Sequence, residues 1–347
     1  MQQETFGIGI VGCGTISDTH AKAIRQSEAG VLLAACSRDK SRVDNFCSRH
    51  GGVPYSDYDS FLAHDGLDVV VICTPSGTHL EMGLAAADQG KHLIVEKPIE
   101  ITLERGRQLV EYCNRAGVQL AVIYQNRFIP DVQQMKQALD LGEIGRAFMV
   151  DGAVKWFRDQ EYYDRGGWRG TLDLDGGGAV INQSIHTIDL MVWMCGDVES
   201  LHAYTGTYTH ANVEGEDNAV VSMKFADGSL GLFRASTSMV PPQERTIEIH
   251  GTEGTARLSG DRFSIIREDD AENSSAGSSG SGAASPLSGM SGDHHAMQYR
   301  SILESFRSGT VPELSGEESL RSLAVVEAIY QSSRLRQRID VPKRIYS

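Results

Sequence analysis

The sequence lacks the marks of a membrane, secreted or metal-binding protein. No apolar run in its 347 residues approaches the roughly 20 residues that a membrane-spanning helix needs. The first residues, Met1 to Phe6, are polar and lead directly into an apolar strand pattern, so we expect no signal peptide. The six cysteines are scattered, without a Cys-x-x-Cys pair and without the spacing of a zinc site. These absences predict a cytoplasmic protein with buried free thiols, no membrane partner and no bound metal.

Basic charge is also scarce. The chain has 46 acidic and 32 basic residues, and its formal net charge is -14. Because nucleic acids and anionic membrane surfaces are bound by clustered Lys and Arg, we expect neither as a partner. A phosphate-bearing cofactor in a local site is still compatible with this charge. With 40% hydrophobic and 22% charged residues, the chain has the composition of a globular protein of two or three domains.

A glycine-rich turn follows a short strand at the start of the chain. Gly7 to Val11 is apolar, and Gly12-Cys13-Gly14-Thr15-Ile16-Ser17 has the pattern Gly-x-Gly-x-x-Gly with serine in the third place. The first glycine permits a tight turn, and the second lets the backbone approach a pyrophosphate. The helix that begins here directs its amino end at the phosphates. In this strand–turn–helix context the pattern predicts a dinucleotide-binding site.

The end of the second strand bears on which dinucleotide binds. Val31 to Cys36 has a strand pattern, and an Asp or Glu at such a strand end usually holds the ribose of NAD. This chain has Ser37 and Arg38 there, followed by Asp39. A serine and a permanently charged guanidinium suit the 2′-phosphate of NADP, so the sequence favours NADP over NAD. The alternatives are that Arg38 is an ordinary solvated loop charge, or that Asp39 turns inward and reverses the preference.

Strands and helices alternate regularly up to Tyr124. Further strands are predicted at Asp68 to Cys73, Leu93 to Val95 and Gln119 to Tyr124, and helices at Leu80 to Gln89 and Thr102 to Ala116. Glycines at 90 and 117 mark the helix ends. This order predicts an α/β Rossmann fold with a parallel, doubly wound sheet.

Two loops at the carboxyl ends of these strands hold candidate site residues. Open parallel sheets bind ligands at that edge. The first loop is Thr74-Pro75-Ser76-Gly77-Thr78-His79, in which His79 either touches the cofactor or merely lies in the first helical turn. The second is Glu96-Lys97-Pro98. Lys97 can lose its proton near neutral pH if it is desolvated or lies beside a positive nicotinamide ring. The alternative is an ordinary lysine whose ammonium reaches water.

After Tyr124 the pattern changes to strands with short connections. A helix is predicted at Asp131 to Leu141. Strands are predicted at Ala147 to Val154, Leu201 to Tyr208, Asn218 to Phe225, Ser229 to Ser236 and Thr246 to His250. Because the connections are too short for helical crossovers, we expect a large, mostly antiparallel sheet. One of its faces is open to helices or to another subunit.

A polar segment interrupts these strands. Trp168-Arg169-Gly170 precedes three glycines, 176 to 178, which suggest a close approach of the backbone to another group. A helical pattern from Ala179 to Trp193 then places Asn182, His186 and Asp189 on one face. A histidine in a helix is more often a satisfied core residue, but this polar stripe favours a site.

The last part of the chain begins with a low-complexity segment. Residues 272–292 are rich in Ser, Gly and Ala and predict a flexible insertion. Helices are predicted after it at Met297 to Arg307 and Glu317 to Arg334.

Taken together, these motifs resemble the glucose–fructose oxidoreductase and inositol dehydrogenase family, the Gfo/Idh/MocA family. The resemblance covers nearly the whole chain except the Ser/Gly segment. It depends on the order and spacing of several motifs: Gly12 and Gly14, Thr74-Pro75, Glu96-Lys97-Pro98, Asn126-Arg127-Phe128, Gly176 to Asp189 and Ala328 to Tyr330.

The resemblance implies an NAD(P)-dependent dehydrogenase or reductase of sugars or cyclic polyols that forms a homodimer or homotetramer through the open sheet. It implies a Rossmann domain at 1–124 and a substrate-binding and oligomerisation domain at 125–347. Lys97 and His186 match the family's site lysine and histidine. Asn182 stands where many members have aspartate. Members with an amide there resemble pyranoside and nucleotide-sugar dehydrogenases, so the resemblance does not favour a plain inositol dehydrogenase. The implied substrate-binding residues are Lys97, Asn126, Asn182 and His186. The implied cofactor-binding residues are Gly12, Gly14, Thr15, Ile16, Ser37, Arg38, Thr74, Pro75, Ser76, His79, Glu96, Lys97, Asn126, Trp168 and Arg169.

Two other functions fit the same scaffold. One is a glycosidase that oxidises and then reduces its sugar again with a bound cofactor, without net consumption of nicotinamide. The other is a non-catalytic regulator that binds NAD(P), which the presence of both Lys97 and His186 argues against. Fold alone does not separate these functions, because function depends on the site.

Overall fold

The chain divides into two structural units, each with its own sheet. In a computed structural model that describes residues 5–268 and 292–342, the first unit contains residues 5–125 and 292–320, and the second contains residues 126–268 and 321–342. The predicted insertion at 272–292 lies outside the described residues, apart from Gly292, where a helix begins. No helix in the described ranges is long and apolar enough to cross a membrane.

The first unit is built on a six-stranded sheet in which every strand is parallel to its neighbours. The central strands are continuous apolar runs that are buried on both faces, as parallel sheets require. The order along the sheet is β3-β2-β1-β4-β5-β6, which confirms the predicted doubly wound arrangement. The strands are β1 (Phe6–Val11), β2 (Gly30–Cys36), β3 (Val53–Tyr55), β4 (Val69–Ile72), β5 (His92–Val95) and β6 (Leu120–Val122).

Local capping explains where several helices of this unit begin and end. Asp39 and Asp57 accept backbone N–H bonds at the start of two helices, and Thr102 does so at a third. Gly117 ends the third helix with a φ of 70°, which favours glycine. These helices are α1 (Ser17–Ser27), α2 (Lys40–His50), α3 (Tyr58–Leu62), α4 (His79–Asp88) and α5 (Leu103–Ala116).

A helix from the far end of the chain completes the first unit. Helix α9 (Gly292–Ser308) packs on α1, and its Tyr299 and Leu303 are fully buried in the same apolar cluster as Ile24. The sequence pattern predicts this helix at Met297 to Arg307. Its packing on the nucleotide-binding sheet is visible only in the structure.

The second unit is built on an eight-stranded sheet of order β13-β12-β11-β7-β10-β9-β8-β14. Only the central pair β7–β10 is parallel, so the predicted mostly antiparallel sheet is confirmed. The strands are β7 (Ala147–Lys155), β8 (Val198–Gly206), β9 (Asn218–Phe225), β10 (Leu230–Ser236), β11 (Thr246–Gly251), β12 (Thr255–Ser259), β13 (Arg262–Ile266) and β14 (Ile339–Asp340).

Side chains alternate between the two faces along the central strands of this sheet. Along β9 and most of β10, buried residues such as Val221 and Phe233 alternate with exposed ones. The exposed face carries apolar side chains, among them Tyr204 at 69% exposure and Val220 at 55%.

The second unit also contains four helices. They are α6 (Pro130–Asp140), α7 (Gln160–Asp164), α8 (Ile185–Cys195) and the part of α10 (Gly316–Leu335) from residue 321 on. Within the unit, α6 packs on β12 and β13, and α8 packs on β7.

The predicted continuous helix from Ala179 to Trp193 is wrong in detail. The chain forms a π-helical turn at Ala179–Gln183, breaks at Ser184 and continues as α8. Asp189 turns into the core, where it binds Arg127. It therefore does not join the polar stripe that the regular helical spacing predicts for it.

The Arg127–Asp189 pair generates a stability prediction. Both residues are 1% exposed, with Nε–Oδ2 at 2.8 Å and Nη2–Oδ1 at 2.6 Å. Asp189→Asn leaves a buried guanidinium without its counter-charge, so we expect the free energy of unfolding to fall by about 3–5 kcal/mol. All three tryptophans lie in the second unit, so tryptophan fluorescence in urea reports on its unfolding.

The matched control is Glu161→Gln, which removes the carboxylate from an exposed pair with Arg165. We expect that change to alter stability by less than about 0.5 kcal/mol, since exposed pairs contribute little. Equal effects of the two substitutions would show that the buried pair is not an anchor of this unit.

Candidate active site

The glycine turn after β1 is shaped by close backbone packing. Gly12 has a φ of 96°, and a Cβ at this position would lie 2.6 Å from the carbonyl atoms of Cys73, so only glycine fits. Around Gly14 a Cβ would meet nothing within 4 Å, which leaves the backbone open to a ligand on that side. Ser17, in the third glycine position, is buried and donates its Oγ–H to the carbonyl of Gly14 at 2.6 Å. Thr15 and Ile16 complete the turn before α1 begins. The turn therefore fits a pyrophosphate at the amino end of α1.

At the end of β2, Asp39 is engaged in a helix cap. Its Oδ1 accepts the N–H groups of Ser41 at 3.0 Å and Arg42 at 3.2 Å, and its Oδ2 pairs with Arg42 at 3.1 Å. The hydrogen bonds from Ser41 and Arg42 lower the pKa of this carboxyl. Ser37 accepts the N–H of Asp39 on its Oγ, and Arg38 is exposed and forms no ion pair with any residue in the described ranges.

The loop after β4 is braced by hydrogen bonds. Thr78 donates its Oγ–H within the loop, at 2.8 Å from Thr74 Oγ1 and 2.7 Å from the carbonyl of Pro75, and Ser76 is buried. The His79 ring is 1% exposed, with Nε2 at 3.0 Å from the Thr74 carbonyl and Nδ1 at 3.0 Å from the Pro98 carbonyl. His79 therefore joins this loop to the one that follows β5. Its contact with the cofactor stays a prediction.

A buried network lies behind Lys97. Glu96 Oε1 is 2.8 Å from His20 Nε2, and His20 Nδ1 is 2.8 Å from the Tyr299 hydroxyl. Burial alone raises the pKa of Glu96, but the hydrogen bond from His20 and the charges of His20 and Lys97 outweigh it and lower the pKa to about 2. The ionised carboxylate accepts the backbone N–H of Lys97 on Oε2 at 3.1 Å. The network therefore fixes the backbone at half-buried Lys97, and neither His20 nor Tyr299 is predicted by the sequence pattern.

In the second unit, Asn182 is held at both ends of its amide. Its Nδ2 donates to Asp175 Oδ1 at 2.5 Å, and its Oδ1 accepts Gln183 Nε2 at 2.7 Å. Asp175 also accepts the N–H of Gly170, directly after the Trp-Arg pair. Half-buried His186 follows in the first turn of α8. Asn126 is half-buried in a short 3-10 turn, 125 to 128, of which Asn126 to Phe128 belong to this unit.

Glu216 and Tyr330 explain two of the three glycines, Gly177 and Gly178. Its carboxylate accepts the N–H of Val180 at 2.6 Å and of Gly178 at 3.2 Å, and the hydroxyl of Tyr330 at 3.2 Å. A Cβ on Gly178 would lie 1.9 Å from the Glu216 carbonyl oxygen, and one on Gly177 would lie 2.2 Å from the Tyr330 hydroxyl. The close approach predicted for these glycines is therefore to residues of the same chain. Burial raises the pKa of Glu216 to about 7, against the lowering effect of these hydrogen bonds.

Arginine and aromatic side chains surround the Trp168-Arg169 segment. The Arg169 guanidinium lies 4.6 Å from the ring centre of Tyr162 and 5.2 Å from that of Trp168. Arg158 lies 5.1 Å from the same Tyr162 ring, and its Nη2 donates to Gln183 Oε1 at 2.6 Å. Within the described ranges, no three His, Cys, Asp or Glu side chains are arranged to hold a metal ion.

Comparison with known proteins adds to this geometry. Residues 6–124 match the model of an oxidoreductase family with an NAD-binding Rossmann fold, and residues 132–257 match the GFO/IDH/MocA C-terminal domain. D-apiose dehydrogenase from Paraburkholderia graminis is 31% identical over 346 residues, which cover 95% of this chain and 88% of the relative.

Two solved structures are similar over the full length. One is the WlbA dehydrogenase from Bordetella pertussis in complex with NADH and UDP-GlcNAcA. It has a TM-score of 0.87 and 34% sequence identity, and the match covers 98% of this chain and 100% of that chain. The other is the WlbA dehydrogenase from Chromobacterium violaceum with the same two ligands, with a TM-score of 0.87, 30% identity, and coverage of 99% and 98%.

The open glycine turn at the amino end of α1 fits the nicotinamide dinucleotide that these family models imply. The resemblance noted in the sequence is confirmed by both family models and by the similarity to the apiose enzyme over nearly the whole chain. The chain belongs to the Gfo/Idh/MocA family and is an oxidoreductase with an NAD-binding Rossmann fold.

Proposed function

We propose that this protein transfers hydride between a nicotinamide cofactor and a carbinol carbon of a sugar, a sugar derivative or a cyclic polyol. The observation that carries the proposal is Lys97, half-buried at the carboxyl end of β5 beside the loop that packs on the glycine turn. Similarity to a D-apiose dehydrogenase and to dehydrogenases solved with NADH and UDP-GlcNAcA supports a sugar-type substrate.

In this proposal each residue has a separate role. The cofactor supplies the hydride acceptor or donor when it is bound. Gly12, Gly14 and the amino end of α1 hold its pyrophosphate. Lys97 takes the proton from the substrate hydroxyl, or returns it in reduction, and His186 hydrogen-bonds the same hydroxyl or relays the proton. Asn182 has no proton to exchange, and its fixed amide orients a neighbouring hydroxyl.

We also propose roles for the two units. The first unit binds NAD(P), and the second binds the substrate and forms the oligomer. Support for the oligomer comes from the second sheet, whose open face exposes Tyr204, Val220 and Leu232. An apolar face of this kind is typical of a surface that another protein covers, and a second copy of the chain fits it in a homodimer or homotetramer.

Lys97→Ala tests the proton-transfer role. We expect kcat to fall by about 10²-fold or more, because general acid–base action contributes on that scale, while NADH still binds. Steady-state kinetics on a panel of sugars, inositols, anhydrosugars and UDP-linked sugar acids gives kcat, and NADH fluorescence gives the cofactor affinity. Lys91→Ala removes a lysine at the amino end of the same strand and is the control. Near-normal turnover of Lys97→Ala would remove this lysine from the mechanism.

The two residues of the second unit are expected to differ in their kinetic effects. His186→Ala should lower kcat, because the histidine acts on the reacting hydroxyl. Asn182→Ala should mainly raise KM, because an orienting amide binds ground state and transition state alike. Steady-state kinetics of both variants on the same substrate separates these effects. If Asn182→Ala changes neither constant, the amide only supports Asp175 and Gln183.

We further propose a preference for NADP(H). Asp39, the carboxylate that could repel a 2′-phosphate, is engaged in the cap of α2, while exposed Arg38 forms no ion pair in the described part of the chain. One charge-assisted hydrogen bond contributes about 1.5–3 kcal/mol, so one contact with the phosphate favours NADP by roughly tenfold or more.

Arg38→Ala should therefore weaken NADP(H) binding by about tenfold and leave NAD(H) binding unchanged. Titration of both reduced cofactors by fluorescence measures this. The control is Arg25→Ala, an exposed arginine in the last turn of α1, at the other edge of the sheet. Equal or tighter binding of NADH by the unaltered protein would show that the preference is absent.

A further inference from the structure

Arg158 is an unusual arginine in a strongly acidic chain. Two other arginines of the second unit are paired with carboxylates, Arg165 with Glu161 and Arg234 with Asp151. Arg158 has no such partner in the described ranges, although the formal net charge of the chain is -14. Its side chain instead lies against two aromatic rings, 5.5 Å from the centre of Trp156 and 5.1 Å from that of Tyr162.

The acidic side chains around Arg158 are engaged elsewhere. Asp159, the next residue, accepts the backbone N–H of Tyr162 at 2.8 Å as the cap of α7. Asp217 pairs with His210 at 2.9 Å. The His210 ring in turn contacts the backbone carbonyl of Arg158. Neither of these two carboxylates, within the part of the chain that the structure describes, forms an ion pair with the Arg158 guanidinium.

The guanidinium is nevertheless fixed in place. Its Nη1 donates to the carbonyl of Phe157 at 3.1 Å, and its Nη2 donates to Gln183 Oε1 at 2.6 Å. A guanidinium has five N–H donors, so these two bonds leave donors for a ligand. Its Nε is buried and has no hydrogen-bond partner in the described ranges. A planar fork held by rings and hydrogen bonds is pre-organised for a carboxylate or a phosphate.

Hydrogen bonds connect Arg158 to the proposed sugar-binding residues. Gln183, which accepts the Arg158 hydrogen bond, donates at 2.7 Å to Asn182 Oδ1. Arg158 is thus two hydrogen bonds from the amide that we assign to sugar binding, and all three residues belong to the second unit.

We propose that Arg158 is a specificity residue that binds an anionic group of the substrate, so that the preferred substrate is an acidic sugar derivative rather than a neutral sugar or polyol. This inference depends on the proposed function, because it takes Asn182 to mark the sugar site. The anionic group is a carboxylate on the sugar or a phosphate attached to it, since both match the guanidinium fork.

The test compares probes in pairs, and the members of each pair differ at one position, where one member carries an additional anionic group. With NADH-loaded protein, binding is measured by calorimetry for UDP-glucose against UDP-glucuronate, which tests a carboxylate, and for methyl glucoside against glucose 1-phosphate, which tests a phosphate. We expect the more acidic member of at least one pair to bind about tenfold more tightly or better, as one charge-assisted hydrogen bond implies. The pair that shows the difference identifies the anionic group.

Arg158→Gln keeps a polar side chain but removes the charge. It should abolish the advantage of the acidic probe and change the affinity for its less acidic twin by less than about twofold, and Arg158→Lys should restore part of the advantage. Arg165→Gln, on the neighbouring helix, is the control and should change nothing. Affinity for NADH should be the same in every variant.

Three results would overturn the inference: no acidic probe binds better than its twin, Arg158→Gln weakens equally both members of the pair that shows the difference, or Arg158→Gln weakens NADH binding instead. Failure of the proposed function is separate. If acidic probes bind through Arg158 but none is oxidised with NAD⁺ or NADP⁺, the anion site stands and the dehydrogenase assignment fails.

Discussion

Parallel pairing of the first sheet is the constraint on which the nucleotide-binding half depends. Parallel neighbours need a crossover between them, so each strand is followed by a return to the opposite edge, and all carboxyl ends meet at one edge. The glycine turn, Ser37, Thr74 and Lys97 follow β1, β2, β4 and β5. Residues from four separate stretches therefore lie along one sheet edge. Close packing tightens this arrangement, since only a glycine at position 12 fits against the carbonyl of Cys73.

Buried carboxylates organise the polar parts of both units. Glu96 fixes the backbone at Lys97, Glu216 holds the start of the segment that carries Asn182, and Asp175 holds the Asn182 amide itself. Each accepts hydrogen bonds that offset the cost of its burial. Their environments differ, because the pKa of Glu96 is lowered to about 2 beside His20, while desolvation dominates at Glu216 and raises its pKa to about 7. Fixed side chains of this kind reduce the reorganisation that binding requires.

Arg38 and Arg158 form no ion pair in the described ranges, although the chain is acidic. Overall the protein is acidic, with 46 acidic against 32 basic residues. At the two places where we infer anions, the acidic side chains are used as helix caps: Asp39 caps α2 next to Arg38, and Asp159 caps α7 next to Arg158. A cap satisfies a carboxylate with backbone N–H groups and leaves the adjacent arginine to an external anion.

Local chemistry in the sequence was sufficient for most of the longer strands and helices, the parallel first sheet, the mostly antiparallel second sheet and the glycine turn. It did not predict α2, the short helices α3 and α7, or the strands β3, β12, β13 and β14. Periodicity, capping residues and glycine conformations act over a few residues, so they can be read along the chain. The Ser17 hydroxyl in the third glycine position and the ending of α5 at Gly117 are of this kind. The resemblance to the family extends the prediction to Lys97, Asn182 and His186 as site residues.

Only the tertiary structure decided which distant residues meet. Gly178 packs on Glu216 and Gly177 on Tyr330, Asp189 turns to Arg127, α9 packs on α1, and Arg158 bonds to Gln183. Each of these partners lies tens or hundreds of residues away along the chain, and several residues in each region have the right chemistry to be the partner. Burial determines which residue becomes the partner, because a buried polar group needs a hydrogen-bond partner and only the complete fold brings one within reach. Such pairings depend on the packing of complete sheets and helices, which no local pattern of residues contains.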